Sequence, residues 1–226
     1  MVPLLVLATF AVFILVAMLL RRETHRSHSP RIEEGLIEDA PRRVPAAIVA
    51  GVALPESLAY HPGHTWALDW GNGRVRLGLD EFAASLLGPI ERLETPQRGR
   101  WVRQGERGWT VVTERGEVPM LAPAEGEVVA LNEKALAKPE LVSGDPYGAG
   151  WLIEVFSPDA QVNFRNLLSG GLARRWMEET MDTLRRVLSP RAMATALDGG
   201  RIAPQLGKDL TPEKWRELTR QFFRCG

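Results

Sequence analysis

The strongest constraint on what this chain can fold into is a change of period at Thr65. Trp66, Leu68 and Trp70 alternate with Thr65, Ala67 and Asp69; Gly71-Asn72-Gly73 follows; then Val75, Leu77 and Leu79 alternate with Arg74, Arg76 and Gly78. Strand side chains point alternately to opposite faces, so the pattern predicts two half-buried antiparallel strands joined by a tight turn. Asp80 stands where it would cap a short helix over Glu81 to Leu87, stopped by Gly88-Pro89. Further short strands are predicted at about Trp109 to Thr113, Val118 to Leu121, Glu127 to Leu131 and Trp151 to Phe156. Asp145-Pro146-Tyr147-Gly148 fits a type I turn, with Asp first, Pro second and Gly fourth. Short strands punctuated by Gly and Pro predict a mainly β domain, a small sandwich or barrel.

Ahead of this domain lies a different kind of sequence. Val2 to Leu20 carries no charge; at 1.5 Å per residue, about 20 helical residues reach roughly 30 Å, the thickness of a bilayer's hydrocarbon core. Nothing basic precedes the run, and Arg21-Arg22 stands where a signal peptide would offer small residues for cleavage, so residues 1–20 read as an uncleaved transmembrane anchor. Arg21, Arg22, Arg26 and Arg31 crowd the C-terminal flank. By the positive-inside rule the expectation is a single-pass protein of the inner (cytoplasmic) membrane with its globular domain in the cytoplasm. Residues 21–53, mixing charge, Pro and Ser at first, read as a tether.

Composition closes other routes. The 226 residues carry 28 Lys plus Arg against 28 Asp plus Glu, so no overall basic field exists to gather nucleic acid. Cys225 is the single cysteine, which excludes an internal disulfide or a cysteine-rich metal module. His25/His28 and His61/His64 each form an H-x-x-H pair, yet a metal site needs three or four converging ligands and neither pair has further ligands nearby in sequence. The metal and cofactor expectation is therefore none. No nucleophile–base pair, phosphate loop or paired-carboxylate cleft is recognisable, so no catalytic residue is expected.

Several blocks, in order, carry a family resemblance: Leu54-Pro55-Glu56-Ser57-Leu58, His64-Thr65-Trp66, Gly78-Leu79-Asp80-Glu81-Phe82-Ala83, Leu87-Gly88-Pro89-Ile90, Ala122-Pro123-Ala124-Glu125-Gly126-Glu127-Val128, Asn132, Pro139-Glu140-Leu141-Val142 and Asp145-Pro146-Tyr147-Gly148-Ala149-Gly150-Trp151-Leu152-Ile153. Together they resemble the glycine cleavage system H protein over residues 54–158. The resemblance implies a barrel-sandwich hybrid of two small antiparallel sheets, like lipoyl and biotinyl domains. It also implies a lysine on a hairpin tip, acylated with lipoate whose swinging arm carries an aminomethyl group between enzymes.

The chain departs from that family at the decisive position. Anchored on Pro123 and Gly126, the family's Glu-Ser-Val-Lys-Ala hairpin falls on Val112-Thr113-Glu114-Arg115-Gly116, with arginine in place of the acylated lysine. Lipoylation needs a neutral amine, whereas a guanidinium with a pKa above about 12 stays protonated and delocalised. Residues 1–133 contain no lysine, so no shift of the alignment supplies one. Lys134 and Lys138 lie beyond the second half-barrel strand, not on a protruding turn.

Residues 159–226 read as a helical C-terminal extension. Ala173, Met177, Met181, Leu184 and Leu188 recur at helical spacing between Gly170-Gly171 and Ser189-Pro190. A second helix opens with Thr211 as cap and Pro212 in its first turn, and sets Trp215, Leu218 and Phe222 on one face. The function expected is a membrane-tethered, non-lipoylated module that docks a protein partner, a lipoate-handling or redox complex, without catalysis of its own. Glu114, Arg115, Glu117, Trp215, Leu218 and Phe222 are the expected partner-binding residues, with the Arg115 fork suited to a carboxylate or phosphate. A working H-type lipoyl carrier in one-carbon or sulfur metabolism and a structural adaptor of a membrane assembly are the alternatives.

Overall fold

The computed structural model of the chain describes residues 45–188, 197–204 and 206–224. The first strands are β1 (Ala46–Val49), β2 (Val52–Pro55), β3 (Ala59–His61), β4 (Thr65–Gly71) and β5 (Arg74–Leu79), followed by helix α1 (Glu81–Leu87). Then come β6 (Arg92–Glu94), β7 (Trp101–Val102), β8 (Arg107–Thr113), β9 (Gly116–Leu121) and β10 (Gly126–Leu131). Helices α2 (Glu133–Ala137) and α3 (Glu140–Gly144) lead to β11 (Ile153–Phe156), and α4 (Ala160–Arg165) and α5 (Gly170–Val187) follow it. The described chain closes with β12 (Leu197–Asp198), β13 (Arg201–Ile202), a 3-10 turn (Leu206–Asp209) and α6 (Pro212–Phe223).

The protein is mainly β and built on a curled antiparallel sheet, consistent with the lipoyl-type fold that the resemblance implies. Six strands run in the order β3-β4-β5-β11-β10-β7, and β6-β8-β9 form a smaller sheet. The predicted hairpin is β4–β5, with Thr65 opposite Leu79 and Ala67 opposite Leu77. Its turn places Asn72 at φ 53° and Gly73 at φ 74°, the left-handed pair that a tight hairpin requires. Asp80 caps α1 by accepting from Ala83 N at 2.7 Å.

One face of the large sheet carries the core: Val75 pairs with Val155 and Leu77 with Ile153, all four buried. On the opposite face Arg74 stands across from Phe156 and Arg76 across from Glu154. Glu154 accepts from Nε of both arginines, from Arg76 at 3.0 Å. The Arg76 guanidinium also lies 3.7 Å from the Trp70 ring centroid and 4.6 Å from that of Trp151. A charge 6% exposed is thereby paired on one side and stacked between indoles on the other.

One expectation changes and one lies outside the described residues. The segment read as tether includes the β1–β2 hairpin, so the folded body reaches back to Ala46 instead of beginning at residue 54. Val49 and Val52 are buried, and Ile202 N donates to the Gly51 carbonyl at 2.9 Å, so the hairpin has both apolar cover and a backbone partner. The expected transmembrane span, Val2 to Leu20, lies outside the described residues; among those described, no helix is long and apolar enough to cross a membrane.

Glu154→Gln is expected to destabilise the fold by about 3 kcal/mol, because it removes the carboxylate charge that faces the buried Arg76 guanidinium. Urea unfolding of wild-type and variant chains measures it; a shift below about 1 kcal/mol would mean that the Glu154 charge is not what holds Arg76 in the fold.

Candidate functional site

The tip of the β8–β9 hairpin is the candidate site. Thr113 and Gly116 form its last pair, which leaves Glu114 and Arg115 as the turn. The Thr113 hydroxyl fixes this turn, accepting from Arg115 N at 3.2 Å and donating to the Gly116 carbonyl at 3.1 Å. Val111, Val118 and Met120 bury the body of the hairpin, while Glu114 and Glu117 stay exposed and Arg115 is half-buried.

The Arg115 side chain turns toward the chain's own C-terminal segment. Its Nη1 donates to the Leu210 carbonyl and its Nη2 to the Lys208 carbonyl, each at 2.7 Å. These carbonyls close the 3-10 turn Leu206–Asp209 just before α6, the end at which a fixed cation is favoured. That turn is itself pressed on α1: a Cβ at Gly207 would fall 2.0 Å from the Leu86 carbonyl oxygen. A partner carboxylate or phosphate at Arg115 would therefore meet terminal nitrogens that each already give one N–H to a backbone acceptor supplied in cis.

The tail side chains proposed as partner anchors are also engaged internally. Trp215, Leu218 and Phe222 are 2%, 0% and 7% exposed. Trp215 Nε1 donates to the Leu86 carbonyl at 3.0 Å, and Phe222 meets Phe82 edge-to-face at 4.9 Å between ring centroids. The cause is α1, whose Phe82, Leu86 and Leu87 present an apolar surface that this helix face covers. Glu114, Arg115 and Glu117 stand together at the tip; the three apolar residues belong to the core behind it.

Behind the tip lies a buried pair that the sequence reading did not single out. His64 Nδ1 is 2.8 Å from Asp80 Oδ2, and both side chains are essentially buried. The His64 ring stacks on Phe82 at 4.3 Å and lies 4.7 Å from Trp176 of α5. The signal was present: extending the β4–β5 register one step beyond Thr65 and Leu79 sets position 64 against position 80. His61 instead accepts from Gly63 N at Nδ1, 3.0 Å away, and burial, then Arg224 and His64, lower its pKa from the ordinary histidine value. Tyr147 is held protonated far above the usual phenol range by burial and then by Asp80; its hydroxyl accepts from Glu81 N at 3.0 Å and donates to the Ala53 carbonyl at 2.7 Å. Among the described residues no group of three or more His, Cys, Asp or Glu could hold a metal ion.

Comparison with known proteins agrees with the block pattern. The family model described as glycine cleavage H-protein matches residues 58–180. The chain is 35% identical over 107 residues to the glycine cleavage system H protein of Aeromonas salmonicida, covering 47% of this chain and 83% of that relative. It is 37% identical over 123 residues to the probable glycine cleavage system H protein of Aeropyrum pernix, covering 54% and 85%. A crystal structure of a glycine cleavage system H protein from Mycobacterium marinum aligns at 28% identity with a TM-score of 0.49, covering 56% of this chain and 98% of that one.

Arg115→Ala removes two charge-assisted hydrogen bonds from a partly exposed site, a loss of about 1–2 kcal/mol. Amide exchange across residues 206–223 should quicken while β4, β5 and β11 stay protected; unchanged exchange in the tail would show the contact to be energetically idle. A second expectation concerns pH. Because the fold lowers the His61 pKa, the unfolded chain binds the proton first, so this group's contribution to stability is present above about pH 6.5 and falls as pH drops below it. His61→Gln should flatten that part of the stability–pH curve, measured by denaturant midpoints.

Proposed function

The chain belongs to the glycine cleavage H-protein family, and we propose that it is a non-lipoylated, membrane-tethered member that docks a partner protein without catalysis of its own. The observation that carries this reading is Arg115. At the hairpin position where the resemblance implies an acylated lysine, the chain offers a guanidinium that both lacks a neutral amine and is held by the Lys208 and Leu210 carbonyls. A swinging arm needs a free, nucleophilic side chain at that tip; this side chain is a fixed clasp.

The apolar run Val2 to Leu20 supports the tethering part. Confinement at a bilayer limits a carrier that must visit several soluble enzymes, whereas it favours a module with one dedicated membrane-associated partner, by raising effective concentration toward the mM range. The residues left on offer at the tip are the exposed carboxylates Glu114 and Glu117. The domain division that accompanies this reading is an anchor over residues 1–20, a linker, the H-type domain, and a helical extension from residue 159 that packs back on the domain through α6.

The test is intact-mass measurement of the full chain purified from its membranes and again after incubation with lipoate ligase. Unmodified mass is expected in both samples; a lipoyl increment on the wild-type chain would overturn the non-carrier reading. Fractionation addresses the tether separately: the protein should sediment with membranes and survive protease added outside spheroplasts, and recovery in the soluble fraction would sink the anchor.

A further inference from the structure

Beside the clasp, the hairpin and α6 enclose a groove of about 290 Å³. Its apolar base is Val118, Pro119 and Trp215, and its rim carries Arg115, Arg216 and Arg220 against the single acid Glu117. Arg216 and Arg220 are one helical turn apart, so they share a face, and like charges at that spacing repel. Glu217 gives its carboxylate to Lys214 Nζ at 2.8 Å, while Arg216 pairs with Glu213 at 3.6 Å and donates from Nε to the Pro212 carbonyl at 3.2 Å, which leaves part of its guanidinium for a ligand. The Arg220 side chain makes no hydrogen bond or ion pair with another described residue. Arg115, although clasped, uses only two of its five N–H donors and is fixed in position by doing so.

We propose that this groove binds a small amphipathic oxyanion, a carboxylate or phosphate monoester with a short apolar body. Arg220 and the remaining N–H donors of Arg115 and Arg216 supply the hydrogen bonds that such a head group accepts, and the half-buried Pro119, backed by Val118 and Trp215, takes the carbon chain. The volume is at the lower end for ligand pockets and limits the body to a few carbons. Because the rim spans two elements joined by the Arg115 clasp, ligand binding bridges the hairpin and α6. The inference does not depend on the tether or on the acylation state.

Calorimetric titration of the full chain in lipid nanodiscs with butanoate, butyl phosphate and butylamine tests it, with amide exchange locating the response. Saturable heat for at least one of the two anions, none for butylamine, and added protection at residues 114–119 and 215–220 are expected; stronger binding of butanoate assigns the natural ligand to carboxylic acids, and of butyl phosphate to phosphate esters. Arg216→Gln and Arg220→Gln, both at exposed positions, should each weaken binding about tenfold without altering the unfolding midpoint. Absence of saturable heat with either anion at about 10 mM, an equal response to butylamine, or unchanged affinity in the double variant would overturn the site.

Discussion

Asp80 holds the most consequential interaction in the molecule. Fully buried, it gives one carboxylate oxygen to the first turn of α1 and the other to His64, which sits at the start of β4 with φ at 62°. A buried carboxylate is tolerated only when its acceptor capacity is used, and here both oxygens are. Through His64 the same group orients a ring around which Phe82, Trp176, Phe222 and Phe223 gather, from α1, α5 and α6. One side chain thus joins the end of the sheet's central hairpin, the helix that follows it, and both long helices of the C-terminal extension.

The clasp at Arg115 works on the same principle at lower depth. The 3-10 turn leaves backbone carbonyls without helical partners, and a cation at their end is favoured by both hydrogen bonding and dipole. Arginine suits the task better than lysine would, because its fork reaches the Lys208 and Leu210 oxygens at once. Arg115 therefore makes a fixed contact between the hairpin and the tail, which follows from its planar, permanently charged group.

Most of this architecture was legible where local chemistry and long-range packing agree. The β4–β5 hairpin declared itself through alternation and the Asn72-Gly73 turn, α1 through Asp80, and α5 through the stripe from Ala173 to Leu188, which is buried throughout. The β1–β2 hairpin was not, because Ala46 to Pro55 is apolar on nearly every position and its turn uses Ala50 at φ 50° with Gly51, without an Asn or Asp to mark it. At the site, the identity of Arg115 was readable but its acceptors were not: backbone carbonyls leave no trace in composition, and Leu210 lies 95 positions away. The Trp215, Leu218 and Phe222 stripe was recognised as apolar, yet a stripe does not say what covers it; Phe82 and Leu86 do.

The strand order also bears on the route by which the chain folds. Its middle pair, β5 against β11, joins residues such as Arg76 and Glu154 that are 78 positions apart, with the whole smaller sheet threaded between them. Hairpins β4–β5 and β8–β9 close short loops and form quickly, whereas β5–β11 must wait for a long loop to close before any of its contacts reward the lost entropy. The tail docks across still longer separations, 95 positions at Arg115–Leu210 and 129 at Trp215–Leu86. During synthesis the Arg115 fork therefore stays without its two carbonyls until residues 208–210 have been added.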